Sequence, residues 1–191
     1  DKNMAVKEVK LSTIEEALTT PTTAEFNDAL KRNRSAFLFR GLPNVSYKLT
    51  TSLRWNCKGK AGELEPSILR NFSKYAASTS PLNSCWEQMV IGQHHGLPTR
   101  LMDWTYSPLA ALHFATSGED ITGMNQHDAV VWAIDITEMN TLLPAKYQKV
   151  LNDERAYLFT IDMLDRVAKD LTTYAVSYTH LRAHETDSYL V

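Results

Sequence analysis

The stretch Gln93-His94-His95-Gly96-Leu97-Pro98-Thr99-Arg100-Leu101-Met102-Asp103-Trp104-Thr105 is the most distinctive part of the chain. It combines amide, imidazole, guanidinium, carboxylate and hydroxyl groups with a glycine and a proline, which interrupt regular structure. Upstream, Trp86 and Met89 are spaced as one face of a helix that Asn83 or Ser84 caps and that ends at Gly96. The pattern predicts a helix followed by an irregular loop over Gly96–Trp104, whose dense polar chemistry indicates the wall of a pocket.

The elements on either side of this stretch predict the fold class. Ser107-Pro108 opens a helix that runs to Gly118 and is apolar nearly all round, so we expect it to be buried. Short apolar runs predict strands over Ala36–Phe39, closed by Arg40-Gly41, and over Ala129–Ile136. Further predicted elements are helices over Thr22–Asn33, Glu63–Ala77 and Asp153–Leu171 and a strand over Tyr47–Trp55. This mixed order predicts an α+β fold, with a small mixed or antiparallel sheet and packed helices.

Composition and charge exclude several classes of protein. The chain has 191 residues, of which 43% are hydrophobic and 22% charged, as in ordinary globular domains. Its formal net charge of −2 argues against a broad electrostatic grip on nucleic acid. No apolar run approaches about 18 residues, which predicts no membrane span. Without a leader pattern or CxxC spacing of its two cysteines, we expect a cytoplasmic protein.

The two ends of the chain have a different character from its middle. The last sixteen residues, Val176 to Val191, continue no helical or alternating pattern and resemble a translated sequencing-adapter read-through. We therefore expect residues 1–21 to be a lead-in, 22–175 to form one domain cut short at its C-terminus, and 176–191 to be non-native.

Arg40 is the first candidate for ligand chemistry, because a guanidinium that follows an apolar strand is costly to bury unless it is paired. It is either an anion clamp or half of a salt bridge, with Asp103 as one candidate partner. Gly41 either adopts a positive φ or lets a ligand approach the backbone. Arg100 and Asp103 are three residues apart and could pair, while Ser107 heads a helix whose free N–H groups suit an anion.

These features define a set of candidate ligand-binding residues. The set is Arg40, Gly41, Gln93, His94, Arg100, Asp103, Thr105 and Ser107. A metal site built from His94, His95, Asp103 and His113 is a rival, but the spacing matches no HExxH or HxH pattern, so we assign no metal. No GxSxG motif is present, and neither cysteine has an evident base, so no catalytic residue is assigned.

Five segments of the chain together resemble the FRG domain family. They are Phe39-Arg40-Gly41, the run Leu49-Thr50-Thr51-Ser52-Leu53-Arg54, the stretch Gln93–Thr105, the segment Ser107–Ala115 and the strand Val130–Asp135. The stretch Gln93–Thr105 is similar to the family's most specific signature, QHxGLPTRLLDWT. The resemblance extends from about Thr22 to Thr160 and implies a domain of largely uncharacterised activity.

The order of parts also resembles, more distantly, mono-ADP-ribosyltransferases of the Arg–Ser–Glu type. In that likeness Arg40 would clamp an NAD phosphate, Thr105 and Ser107 would line the nicotinamide-ribose pocket, and a glutamate would stabilise the oxocarbenium-like transition state. The chain departs from the pattern at the glutamate: Glu63-Leu64-Glu65 lies upstream of the Thr/Ser element, and Glu138 and Glu154 lack the motif.

Three functional hypotheses follow. The first is a nucleotide-handling protein that takes NAD as a possible substrate and acts as an ADP-ribosyltransferase-like enzyme. The second is a non-catalytic module of a bacterial defence or toxin system that binds a ligand or protein partner. The third is a metal-dependent hydrolase or nuclease. The first requires Arg40 to share one cleft with Gln93, Arg100 and Asp103.

Overall fold

The computed structural model of the protein describes residues 7–13, 15–16, 25–27, 32–34, 36–76, 84–117 and 127–169. In chain order its strands and helices are β1 (Glu25–Asn27), β2 (Arg32–Arg34), β3 (Phe37–Leu42), α1 (Ser52–Cys57), α2 (Ala61–Ala76), α3 (Cys85–His94), α4 (Pro108–Ser117), β4 (Val130–Asp135), α5 (Ile136–Leu142), α6 (Ala145–Asp153) and α7 (Ile161–Val167), with a 3₁₀ turn at Lys58–Lys60. The predicted α+β class is confirmed. None of the described helices is long and apolar enough to cross a membrane.

The chain divides into two compact units. The first, here called the sheet unit, comprises Asp1–Asn44 and Thr105–Asp135, and the second, the helical unit, comprises Val45–Trp104 and Ile136–Val191. The strands and α4 belong to the sheet unit, and the remaining helices belong to the helical unit.

The sheet unit is built on the antiparallel pair β3–β4. In its register Phe39 is opposite Ala133, Arg40 opposite Trp132 and Gly41 opposite Val131. Both strands were predicted, and the apolar, β-branched and aromatic composition that predicted them suits a pleated, half-buried surface. The structure extends β3 through Arg40 and Gly41, which we had expected to close the strand.

Helix α4 packs on β3 through a very short backbone approach. A Cβ added to Gly41 would lie 2.7 Å from the backbone nitrogen of Ala115 and closer still to the carbonyl oxygen of Ala111. Only glycine therefore allows helix and strand to pack this closely. The expectation that α4 is buried all round is wrong: Ala111 and Ala115 are buried, whereas Leu109 and Phe114 are 56% and 63% exposed. Strand β3 covers the face of α4 that carries Ala111 and Ala115, and apolar side chains of the helix lie outside that face.

The helical unit encloses a core between α2, α3, α6 and α7. The core cluster contains Leu69, Trp86, Met89, Tyr147 and Ala168. The indole Nε1 of Trp86 donates a hydrogen bond to the backbone oxygen of Ala168 at 2.8 Å. This bond lets a large aromatic side chain be buried with its polar atom satisfied.

Three predicted elements are wrong in type or extent. Residues of the predicted helix Thr22–Asn33 form β1 and β2, which pair with Phe26 opposite Asn33, so strand pairing overrides a weak helical pattern. Part of the predicted strand Tyr47–Trp55 is helix α1, because the Thr51 hydroxyl accepts a bond from the Arg54 backbone nitrogen at 3.2 Å and caps it.

The third wrong element is the single helix predicted over Asp153–Leu171. Helix α6 ends at Asp153, and α7 begins only at Ile161. Arg155 adopts φ 51°, which a helix does not permit, and the hydroxyl of Thr160 caps α7 by accepting from the Met163 backbone nitrogen.

Candidate functional site

Helix α3 and its cap position the first polar group of the distinctive stretch. The Ser84 hydroxyl, one of the two caps that the sequence predicts beside Asn83, accepts from the Glu87 backbone nitrogen at 3.1 Å and caps the helix. Gly96, with φ 79°, ends it in the left-handed region that glycine adopts without strain. Gln93 thus lies in the last turn of α3, at the point where the chain leaves the helix.

The Gln93 amide joins both ends of the loop that follows. Its Oε1 accepts a hydrogen bond from the Thr99 hydroxyl, and its Nε2 donates to Asp103 Oδ1 at 2.6 Å. The amide therefore uses both its acceptor and its donor group inside the protein. It fixes the separation between the helix end and two points of the loop.

Thr99 is the centre of the same network and is 1% exposed. Its hydroxyl also accepts from the Leu101 backbone nitrogen at 3.2 Å. Its backbone oxygen accepts from the Leu53 backbone nitrogen at 3.1 Å, and its backbone nitrogen donates to the Ser52 hydroxyl at 3.1 Å. The loop is therefore anchored to the N-terminus of α1, where free N–H groups need acceptors.

Arg100 is held by Glu65 of α2. Arg100 Nε donates to Glu65 Oε1 at 2.6 Å, and Nη2 donates to Oε2. This is a bidentate pair, the geometry in which guanidinium and carboxylate match best. Glu65 is 2% exposed, so Arg100 neutralises a buried charge. The three-residue spacing predicts Asp103 as a partner of Arg100 and does not predict Glu65.

The remaining candidates in the helical unit are more accessible. His94 and Asp103 are both exposed, and Asp103 accepts the bond from Gln93. Neither Thr99 nor Ser52 was among the predicted site residues. The segment Leu49–Arg54 was itself part of the family resemblance, and that was the one sequence signal that could have indicated Ser52.

The hydroxyls of Thr105 and Ser107, in the sheet unit, bind backbone nitrogens at the start of α4. Thr105 pairs with Phe39, through backbone bonds of 2.7 and 2.9 Å, on the edge of β3 opposite β4. The Thr105 hydroxyl accepts from the Ser107 backbone nitrogen at 3.0 Å, and the Ser107 hydroxyl accepts from the Ala110 backbone nitrogen at 3.3 Å. Both side chains are used as local caps, as Ser and Thr commonly are.

The pleat of β3 separates Arg40 from its neighbours. Gly41 faces α4, so Phe39, two residues earlier, lies on the α4 face as well. Directly paired residues share a face, which places Thr105 there too. Arg40 belongs to the opposite face with Leu38 and is partly buried. That Arg40 and the residues of the helical unit line one cleft stays a prediction.

The candidate metal ligands do not form a metal centre in the part of the chain that the structure describes. Among those residues, no three His, Cys, Asp or Glu side chains are grouped so that they could hold a metal ion. The hypothesis of a metal-dependent hydrolase or nuclease stays a prediction.

Fold and site together define an α+β protein whose distinctive stretch is a hydrogen-bonded scaffold between three helices. The family model for the FRG domain matches residues 35–122, so the chain contains an FRG domain. The match covers the strand with Phe39-Arg40-Gly41, the whole of the stretch Gln93–Thr105 and helix α4. No curated protein and no solved structure matches the chain. The wider limits 22–175 stay a prediction.

Proposed function

We propose that this FRG domain binds a small anionic ligand of the nucleotide class, with NAD as the first candidate. Arg40 is the observation that carries the proposal. It lies in β3, and the two residues before it in that strand, Leu38 and Phe39, are each 5% exposed. Its guanidinium carries planar N–H donors, which fit a phosphate in bidentate geometry.

The distinctive stretch has a supporting role in this proposal. Gln93 and Arg100 already use hydrogen-bonding groups on Asp103, Thr99 and Glu65. We assign them to holding the loop, and we assign ligand contact from this stretch to the exposed His94 and Asp103.

Binding is better supported than ADP-ribosyl transfer. Transfer needs a carboxylate that faces the developing positive charge of the ribose. Glu65 is buried against Arg100, and Glu154 pairs with Arg166 at 2.5 Å. Two of the glutamates considered for that role are thus committed to arginines, and we propose a binding domain with no assigned catalytic carboxylate.

Calorimetric titration with NAD tests the proposal. We expect saturable binding by the full chain and a loss of about 10- to 100-fold in affinity for Arg40→Ala, because a hydrogen-bonded charge pair contributes about 1.5–3 kcal/mol. Arg54→Ala, at an exposed arginine of α1, is the matched control and should bind as the parent does. Failure of the parent to bind NAD, or equal affinity of Arg40→Ala, would contradict the proposal.

The second candidate function is a module that binds a protein partner. The observation that favours it is the exposure of three large apolar side chains, Leu109 and Phe114 on α4 and the 59% exposed Tyr106 just before it in the sequence. Exposed apolar surface beyond single scattered side chains is a common mark of interaction sites. Absence of nucleotide binding, combined with self-association that Phe114→Asp abolishes in light scattering, would favour this function over the first.

A further inference from the structure

A basic segment of the helical unit has no part in the proposed function. Between Asp28 and Glu63 the sequence carries eight lysines and arginines and no acidic residue. Four of these cations belong to residues 45–62, in the helical unit. The formal net charge of the whole chain is −2, so this positive charge is local. A local concentration of one sign attracts ligands of the opposite sign even when the protein as a whole is close to neutral.

An exposed tryptophan lies beside two of these cations at the end of α1. Trp55 is 69% exposed, and Lys58 and Lys60, three and five residues later, are exposed as well. The Lys58 backbone nitrogen donates to the backbone oxygen of Arg54, which holds the 3₁₀ turn to the last turn of α1. The backbone from Trp55 to Lys60 therefore spans only about 10 Å. We call these three side chains, Trp55, Lys58 and Lys60, the basic patch.

The lysines of the basic patch are not used inside the described part of the protein. Among the residues that the structure describes, neither Lys58 nor Lys60 forms an ion pair or a side-chain hydrogen bond. Lys149, by contrast, pairs with Asp153 at 2.8 Å. A ligand would therefore engage both ammonium groups of the basic patch without first breaking a bond to a described residue.

The backbone at Lys58 has a conformation that favours glycine. Its φ is 49° and its ψ is −130°, outside the regions that a residue with a Cβ adopts without strain. Strain of this kind is typical of positions that have a function. A Cβ added to the next residue, Gly59, would meet nothing within 4 Å, so the surface beside Lys58 is open.

Cations beside an exposed aromatic ring are the pattern that binds single-stranded nucleic acid. Ammonium groups neutralise the phosphate backbone, and an unpaired base stacks on the ring. A membrane surface would require an apolar face. The residues on both sides of Trp55 are instead the polar, exposed Arg54 and Asn56.

We propose that the basic patch binds single-stranded nucleic acid, with one base stacked on the Trp55 indole and the ammonium groups of Lys58 and Lys60 on the phosphates beside it. This inference goes beyond the proposed function and does not depend on Arg40. Single-stranded DNA and RNA share the chemistry that the basic patch recognises, and the titration below separates them.

Fluorescence anisotropy of labelled oligonucleotides tests the inference with the full chain. The probes are an oligothymidylate and an oligouridylate of about 12 nucleotides, within the usual range of site sizes for single strands, and a DNA duplex of the same length. We expect saturable binding of a single strand and weaker binding of the duplex, whose bases are already stacked. The tighter of the two single strands identifies DNA or RNA as the ligand. Equal affinity for single strand and duplex would contradict stacking on Trp55.

Substitutions at Trp55 test the stacking. Trp55→Ala should weaken binding of the single strand by about 5- to 100-fold, the usual effect of removing an aromatic ring from a base. Trp55→Phe keeps a ring and should retain most of the affinity. Tyr106→Ala is the matched control, because Tyr106 is 59% exposed and belongs to the sheet unit. It should bind as the parent does.

The salt dependence of the affinity tests the two lysines. Each phosphate contact on a single strand contributes about −0.7 to the slope of log K against log salt concentration. Lys58→Gln and Lys60→Gln should each make the slope less negative by about this amount, and Lys149→Gln, at the lysine paired with Asp153, should leave it unchanged. Lys58→Gly removes the charge and relieves the backbone, so it should weaken binding without lowering the thermal midpoint.

Three results would overturn the inference. The first is a parent chain that binds neither single strand. The second is binding that Trp55→Ala and Lys58→Gly leave unchanged, which would place the ligand elsewhere on the protein. The third is binding to vesicles that contain phosphatidylserine without binding to either oligonucleotide, which would identify a membrane surface. None of these results bears on NAD binding at Arg40, so the proposed function and this inference fail separately.

Discussion

Replacing Arg100 by leucine removes one half of a buried ion pair and leaves the carboxylate of Glu65 without its cation. The Glu65 side chain is 3% exposed and the Arg100 side chain 24% exposed. Removing one partner of a buried pair typically costs about 3–5 kcal/mol, because the remaining charge is desolvated and uncompensated. The partial exposure of Arg100 places the expected loss near about 3 kcal/mol, the lower end of that range.

Urea unfolding, followed by tryptophan fluorescence and by far-ultraviolet circular dichroism, measures this loss. Agreement of the two probes establishes that a single free energy of unfolding applies. The thermal midpoint should fall by about 6–12 °C, since 1 kcal/mol corresponds to about 2–4 °C in a chain of this size. Lys149→Leu, which breaks the exposed pair with Asp153, is the control and should change stability by less than about 0.5 kcal/mol.

The double variant Glu65→Leu/Arg100→Leu separates a structural role from a ligand-binding role. Because it leaves no charge unpaired, it should be more stable than Arg100→Leu alone. If Arg100→Leu unfolds like the parent but loses NAD binding, then Arg100 holds the ligand and its assignment to the scaffold is wrong. Strict additivity of the two single losses would show that the two side chains act independently.

Three further outcomes are expected. Gly41→Ala should destabilise the chain by about 3 kcal/mol or more in urea unfolding, because the added Cβ would overlap the backbone of α4. Gly62→Ala, whose Cβ would meet nothing within 4 Å, is the control and should be neutral or slightly stabilising. Equal effects of the two substitutions would contradict the close packing of α4 on Gly41. Thr99→Val should lower the free energy of unfolding by about 1–3 kcal/mol, because it leaves buried polar groups unpaired. The exposed Thr116→Val should lower it by less than about 0.5 kcal/mol. An unchanged stability of Thr99→Val would show that the Thr99 hydroxyl does not stabilise the fold. Phe114→Asp should leave the free energy of unfolding unchanged within about 0.5 kcal/mol, and a large loss would show that this side chain is buried.

Local signals account for the parts of the fold that the sequence predicted correctly. The start of α3, predicted at Asn83 or Ser84 and found at Ser84, and its end at Gly96 are both indicated by residues with a local capping role. Strand β4 is visible from its β-branched and aromatic run. Each of these residues acts on backbone within a few positions of itself, so a single sequence is enough to predict its effect.

The wrong predictions share the opposite property, that the deciding interaction is distant or unusual. Glu65 lies 35 residues from Arg100, and no spacing rule joins them. The exposure of Leu109 and Phe114 depends on what else packs on α4, which composition does not encode. The close approach at Gly41 is a third case, because a glycine in a strand does not say whether a helix or a ligand is its neighbour.

Several polar side chains of the distinctive stretch already hydrogen-bond within the protein, and this changes where we expect a ligand to make contact. Gln93 has an acceptor and a donor engaged, and Arg100 has two N–H groups on one carboxylate. Residues that already satisfy one another add little to a ligand, because binding would have to break bonds before it makes new ones. By this reasoning the exposed His94 should contribute more to ligand affinity than either Gln93 or Arg100.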